Sequence, residues 1–208
     1  MKSKKTLITL IGGMVATAAI TTVAMSSKPD ANIYFAKAQE IMKKDFKAKG
    51  PAKMDRLVPD DAIKLCNQYD NNPPKEMAAK FEQEMLSAVV YPADGKYMGD
   101  WKAGNKIAQS GKGFTWKGGP VGGNCYNCHE LSPKELSFGT IGTSLRNYGK
   151  LRGNSEEIQK YTYGRIYNSK AFNLCSAMPR FGQVGALKEK QIKDLVALLL
   201  DPSSPVNN

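Results

Sequence analysis

The chain has 208 residues, 41% of them apolar and 24% charged, with a formal net charge of +11. These values exclude a wholly disordered chain and fit one generous domain, or a small domain with a substantial extension. The basic residues form no dense tract, which argues against nucleic acid as a partner.

Residues 1–26 stand apart. Lys2, Lys4 and Lys5 precede an uncharged, largely apolar run from Leu7 to Met25, and small residues lie on both sides of Met25 in Ala24-Met25-Ser26. That layout predicts a secretory signal peptide. An uncleaved membrane anchor is the alternative, because the run is nearly long enough to span a bilayer. Either way the body of the protein is exported, with the periplasm as the expected compartment. The remaining charge is uneven. Residues 27–100 carry 12 basic and 12 acidic side chains, whereas residues 101–208 carry 15 and seven. A positive excess in the second half suits an acidic protein partner, steered there by opposite charge.

From Ala31 to Lys49, the spacing of Phe35, Ala38, Met42 and Phe46 predicts an amphipathic helix ended by Gly50-Pro51. A shorter helix follows over Asp60 to Tyr69, with Asp60 and Asp61 at its positive end. Asn71-Asn72-Pro73-Pro74 breaks the chain, and Met77, Phe81, Met85 and Ala88 mark the face of a third helix. Asp100 caps a helix that puts Trp101, Gly104 and Ala108 on one side, closed by Gly111 and Gly113. Residues 111–124 read as glycine-rich loop, and the stretch beyond His129 is irregular through Gly153. Ser155 caps a helix over residues 156–168. In the last helix Ile192, Leu195, Val196 and Leu199 face inward, Lys190, Lys193 and Asp194 face outward, and Asp201-Pro202 is the stop. No stretch alternates with period two, so the expected fold is mainly α.

The chemistry is concentrated in Cys125-Tyr126-Asn127-Cys128-His129. Cys-x-x-Cys-His is the attachment signature of a c-type haem: two thiols add across the porphyrin vinyl groups, and the adjacent imidazole binds the iron. With four Cys and one His in the chain, accidental matches are expected on the order of a few in ten thousand, so the spacing counts as strong. A zinc site would need a fourth ligand and is not at finger spacing. A dithiol redox motif would want a strand–helix–strand setting that the sequence lacks.

His129 is the only histidine, so a second axial ligand must be Met, Lys, Cys or an external group. Met42, Met77 and Met85 fall on helix faces, where core packing is the better reading. Met178 lies instead in the irregular Ser176-Ala177-Met178-Pro179-Arg180-Phe181-Gly182, 49 residues after His129. A loop there, stiffened by Pro179, can carry a thioether across the second haem face. Met98 is the best rival. Cys66 and Cys175 remain, and in an oxidising compartment two spare cysteines usually pair. The alternatives are two buried thiols, or a thiol competing for the iron.

Four segments taken together resemble a known family. They are Gly99-Asp100-Trp101-Lys102-Ala103-Gly104, Gly123-Asn124-Cys125 through His129, Tyr148-Gly149-Lys150-Leu151-Arg152-Gly153, and Met178 through Gly182. They resemble SoxX, the monohaem cytochrome c subunit of the SoxAX sulfur-oxidation complex; Leu195 through Pro202 is similar to its tail. The resemblance covers residues 99–205 and implies a class I cytochrome c-like haem domain over 99–208, leaving 27–98 as a helical N-terminal extension. It implies one haem c on Cys125 and Cys128 with His129 and Met178 as axial ligands. It implies the SoxA cytochrome as partner, the SoxYZ carrier indirectly, and a downstream cytochrome c as electron acceptor. The activity implied is that of the electron-transfer subunit of an L-cysteine S-thiosulfotransferase, in which no residue of this chain performs the sulfur chemistry. A free-standing periplasmic electron carrier is the alternative, and a haem sensor with an open site is a third reading that Met178 opposes.

Three features depart from the class I pattern. Gly142-Thr143-Ser144-Leu145 stands where Gly-Pro-x-Leu is common, which leaves the carbonyl partner of the histidine to Thr143 on a less rigid loop. Lys188 occupies the expected cap of the last helix. Residues 27–98 exceed a minimal cytochrome domain.

Overall fold

The computed structural model describes residues 31–50, 53–110 and 122–208. The leader read over residues 1–26, Pro51, and the glycine-rich loop over 111–121 lie outside the described residues. Among the described residues seven α-helices run in the order α1 (Ala31–Asp45), α2 (Asp61–Gln68), α3 (Lys75–Ser87), α4 (Trp101–Gln109), α5 (Tyr148–Arg152), α6 (Glu156–Tyr167) and α7 (Glu189–Leu200). Short 3-10 turns cover Met54–Leu57, Cys125–Asn127 and Ser169–Ala171. The protein is mainly α, and among the described residues no helix is long and apolar enough to cross a membrane.

Three helices begin at the caps that their sequences offer. Asp60 accepts the Ile63 N–H at 2.9 Å, Asp100 accepts the Lys102 N–H at 2.9 Å, and Ser155 accepts the Ile158 N–H at 3.4 Å. Each satisfies one of the free donors of a first helical turn. At α7, where Lys188 has no acceptor to offer, the Gln191 side chain reaches back to the Lys188 N–H at 2.9 Å. Half a capping box therefore replaces the missing cap.

α4 and α7 pack together, and Gly104 makes the approach possible. A Cβ at Gly104 would lie 2.6 Å from the Asp194 carbonyl carbon and 3.1 Å from Leu198 Cβ. The glycine thus meets Asp194 and Leu198, while Leu195 and Leu199 turn toward a cavity. Asp194, expected on the outer face, is buried. Its Oδ1 accepts the Asp100 N–H and its Oδ2 meets the Lys190 ammonium, each at 2.9 Å. The free N–H at the start of α4 draws the carboxylate inward, a pairing between segments 94 residues apart that helical periodicity cannot reveal.

α5 falls in the stretch read as irregular. Its five residues carry no apolar stripe, and a distant side chain supplies its cap. Asn207 Oδ1 accepts from Gly149 N–H at 2.9 Å and Lys150 N–H at 3.2 Å, while its Nδ2 donates to the Leu199 and Asp201 carbonyls. Val206 beside it is fully buried, so the tail is part of the core.

The extension divides in two. α1 ends earlier than expected and buries none of residues 33–45 deeply; Ala38 and Phe46 are exposed while Phe35 and Met42 are half-buried. α2 and α3 instead form a second small core of Ala62, Leu65, Cys66 and Leu174, with Ala78, Phe81 and Met85 packed on it. Met77 and Ala88 of the expected α3 face are exposed. Leu174 belongs to the segment leading to Met178, so this second core joins the extension to that segment. Cys66 and Cys175 are disulfide-bonded, with Cα atoms 5.6 Å apart. Arg180 forms an ion pair with Asp60. Glu82 accepts the Leu174 N–H at 2.9 Å, and the buried Lys170 ammonium donates to the Leu174 carbonyl at 2.7 Å.

Candidate functional site

The site is built on a tight turn anchored to the end of α4. The Ile107 carbonyl accepts the Gly123 N–H at 2.9 Å. Asn124 then takes a left-handed conformation, φ 47° and ψ 43°, which asparagine tolerates better than most residues. The 3-10 turn Cys125–Asn127 follows, and the Cys125 carbonyl accepts the N–H groups of Cys128 at 3.1 Å and His129 at 2.8 Å. This curl carries Cys125, Cys128 and His129 to one wall.

His129 is fixed from behind. Its Nδ1 lies 2.7 Å from the Thr143 carbonyl, which accepts the ring N–H and leaves Nε2 as the ring's free lone pair. Gly142 permits this, because a Cβ there would lie 2.8 Å from Nε2 and closer still to Cε1 and Nδ1. The Gly142 N–H is itself held by the Cys128 carbonyl at 2.7 Å. Although the loop lacks the proline, Glu130 braces it. The Glu130 backbone carbonyl accepts the Leu145 N–H at 2.7 Å, and its carboxylate takes the Ser144 hydroxyl at 2.8 Å and Arg146 at 3.2 Å.

Met178 comes to the same place from the other side. Its carbonyl accepts the Ser169 hydroxyl at 2.6 Å, and its N–H donates to Ser176 Oγ at 3.2 Å. Both His129 and Met178 line a cavity of about 440 Å³ that also receives Cys125, Cys128 and Cys175. The same pair lines a second cavity of about 300 Å³ that reaches Tyr148 and Tyr161. A smaller apolar recess under Leu131, Leu195 and Leu199 again includes both residues. The volumes fall in the usual range for ligand sites, ~300–1,000 Å³. Met98, the rival, packs on the main core and lines neither larger cavity.

Cys125 and Cys128 are not bridged to each other. Burial pushes the Cys125 thiol up to about 12. A catalytic dithiol needs the opposite shift, so this pair is ill suited to thiol exchange. Among the described residues no three His, Cys, Asp or Glu side chains gather as a metal-binding group. The donor set does fit an iron porphyrin. Two thiols for attachment, one imidazole with its Nε2 free and one thioether share one cleft, whose recess at Leu131, Leu195 and Leu199 is apolar. The bracing of Thr143 by Glu130 and the tethers on the Met178 segment escaped the sequence reading, since each joins residues remote in the chain.

No family model matches the chain. It is 44% identical over 133 residues to an uncharacterized lipoprotein of Aquifex aeolicus (strain VF5). The match takes in 62% of this chain and 63% of that protein, so this chain spans under two thirds of its relative's length.

Proposed function

We propose that this chain is an exported monohaem c-type cytochrome that works as the SoxX-like electron-transfer subunit of a thiosulfate-oxidising SoxAX complex. The carrying observation is the convergence of His129 and Met178 on one cleft beside two unbridged cysteines, with Nδ1 of the only histidine already engaged. Bound there, a haem supplies a one-electron couple. Cys125 and Cys128 hold it covalently, His129 and Met178 face its iron, and the Thr143 carbonyl raises the basicity of the imidazole. The thioether favours the reduced iron, which suits an acceptor of electrons from a partner. On this reading residues 99–208 form a class I cytochrome c-like domain and the extension is a clamp on its methionine segment.

Export is supported by the signal-like leader and by the lipoprotein name of the relative. A subunit role rather than a free carrier is supported at the rim. Ile141, 82% exposed, borders one of the two cavities and Leu151, 79% exposed, borders the other. Large apolar side chains exposed at the edges of the site favour a protein partner there. The partner would be a SoxA-type cytochrome carrying the sulfur chemistry, with SoxYZ as the carrier and a further cytochrome c downstream.

The test is a pull-down of the chain from its host grown on thiosulfate, with haem staining of every band. A second, cysteine-ligated haem protein in the complex is expected; a lone monomer that exchanges electrons with unrelated partners would favour the free carrier. In the purified protein, Met178→Ala should change the ferric haem spectrum. An unchanged spectrum removes Met178 as ligand.

A further inference from the structure

α1 uses one face and leaves the other bare. Phe35, Gln39 and Met42 recur at i, i+4 and i+7 and are half-buried. Gln39 and Met42 close a cavity of about 200 Å³ with Met54, Leu57 and Val58, so the chain lies on that side. The opposite side carries Ile33, Lys37, Ile41 and Lys44 at i, i+4, i+8 and i+11, with Tyr34 and Ala38 alongside. Ile33 is 65% exposed, Tyr34 59% and Ile41 52%, and none of the three joins either core. A second apolar stripe that neither core of its own chain covers marks a contact surface.

The charge on the segment selects the partner. Residues 31–53 carry six lysines and two acids, whereas residues 54–100 carry five basic and nine acidic side chains. Among the described residues Lys37, Lys43, Lys44 and Lys47 enter no ion pair. Lys37 and Lys44 stand within the apolar stripe itself, one turn from Ile33 and Ile41. A lysine stem lies along apolar surface while its ammonium reaches a phosphate, and tyrosine favours the same boundary. A protein hot spot wants a pocket for its anchor, and the cavity beside α1 is on the inner face. A convex stripe of aliphatic and ammonium groups fits instead a fluid, anionic lipid surface. Its place in the chain agrees. The apolar leader run ends at Met25, six residues before Ala31, so in the precursor α1 starts within ~20 Å of the membrane that takes the run. We propose that the outer face of α1 docks this protein on anionic lipid headgroups, Ile33 and Ile41 entering the boundary and Lys37 and Lys44 meeting phosphates. α1 lines none of the cavities that His129 and Met178 share, so docking leaves that site open.

The test is co-sedimentation of the purified exported protein with vesicles of phosphatidylcholine, alone or with a third of it replaced by phosphatidylglycerol. Binding to the mixed vesicles is expected. Ile33→Ser with Ile41→Ser should weaken it ~10-fold or more, and Lys37→Gln with Lys44→Gln by ~5-fold per lysine. Lys75→Gln with Lys80→Gln removes the same charge from exposed positions of α3. That variant should stay within ~2-fold, because charges beyond a Debye length of the lipid are screened. Equal binding by the isoleucine variant and the unaltered protein overturns the proposal, and so does equal binding to both kinds of vesicle. A dimer that the isoleucine variant loses, with no vesicle binding, assigns the face to a second copy instead. Circular dichroism checks that each variant is folded, and mass shows whether the leader is gone. Should a variant lose its fold or the leader be retained, depth replaces affinity. Emission from Ile41→Trp should then be quenched by brominated acyl chains, and unquenched emission overturns the proposal. Neither readout involves haem, so failure here and failure of the cytochrome reading are separate results.

Discussion

Replacing Cys66 and Cys175 together with alanine removes the covalent tie between α2 and the Met178 segment and leaves both helical cores in place. The two cysteines are 109 residues apart, and loop-closure entropy for a span of that length is about 4.8 kcal/mol at 25 °C. That is near the top of the ~2–5 kcal/mol usually lost with a native disulfide. At ~2–4 °C per kcal/mol for a chain of this size, the thermal midpoint should fall by roughly 10–19 °C. The neighbouring tethers, Asp60 to Arg180 and Glu82 to the Leu174 N–H, act only within the folded state and do not replace the lost constraint on the unfolded chain. The assay is thermal unfolding followed by circular dichroism, with the haem spectrum recorded in parallel. Loss of the thioether signature is expected below the temperature at which the helices melt, because the methionine segment is what the bridge restrains. A midpoint within ~2 °C of the unaltered protein would refute the entropic reasoning at the scale set by that conversion.

Two further changes test single contacts. Burial alone would raise the Asp60 carboxyl, but the Ile63 N–H and the Arg180 guanidinium hold it below its ordinary value. A lowered pKa stabilises the fold above the unfolded value of ~3.9 and loses that contribution as pH falls through the folded value. Asp60→Asn should therefore flatten the acid limb of urea-midpoint curves below about pH 4, and parallel limbs would remove Asp60 from the account. Gly142→Ala drives a methyl group into the His129 ring. Haem attached per mole of chain should drop by ~10–100-fold, as for other losses around a metal ligand, and full loading would contradict the packing described.

Local chemistry was legible in the sequence where it is self-contained. Asp60, Asp100 and Ser155 each cap a helix because the donor lies two or three residues away, and the Cys125–His129 turn closes on its own backbone. Pairings across the chain were not. Asp194 looked like an outer residue of α7 until the start of α4 gave it a donor, and Asn207 gave α5 a start that Tyr148–Arg152 does not encode. The Cys66–Cys175 bridge was reachable from compartment and count alone, whereas its effect on Met178 needed Leu174 in the second core. The Thr143 bond came out stronger than the missing proline suggested, because Glu130 braces the loop through groups 14 to 16 residues away.

Cys175 borders the same cavity as Cys125 and Cys128. Four thiols admit three fully paired arrangements, and two of these consume the attachment cysteines in bridges to Cys66 and Cys175. The third joins Cys66 to Cys175 and Cys125 to Cys128, and the structure has its first bridge without its second. If haem is attached as proposed, assembly is a competition between oxidation and attachment. The second core sets Cys66 beside Leu174 and Cys175, and a Cys66 bridged there is withdrawn from Cys125 and Cys128. On the proposed haem reading, segment 61–87 thus keeps Cys175 paired with Cys66 and leaves Cys125 and Cys128 available for attachment.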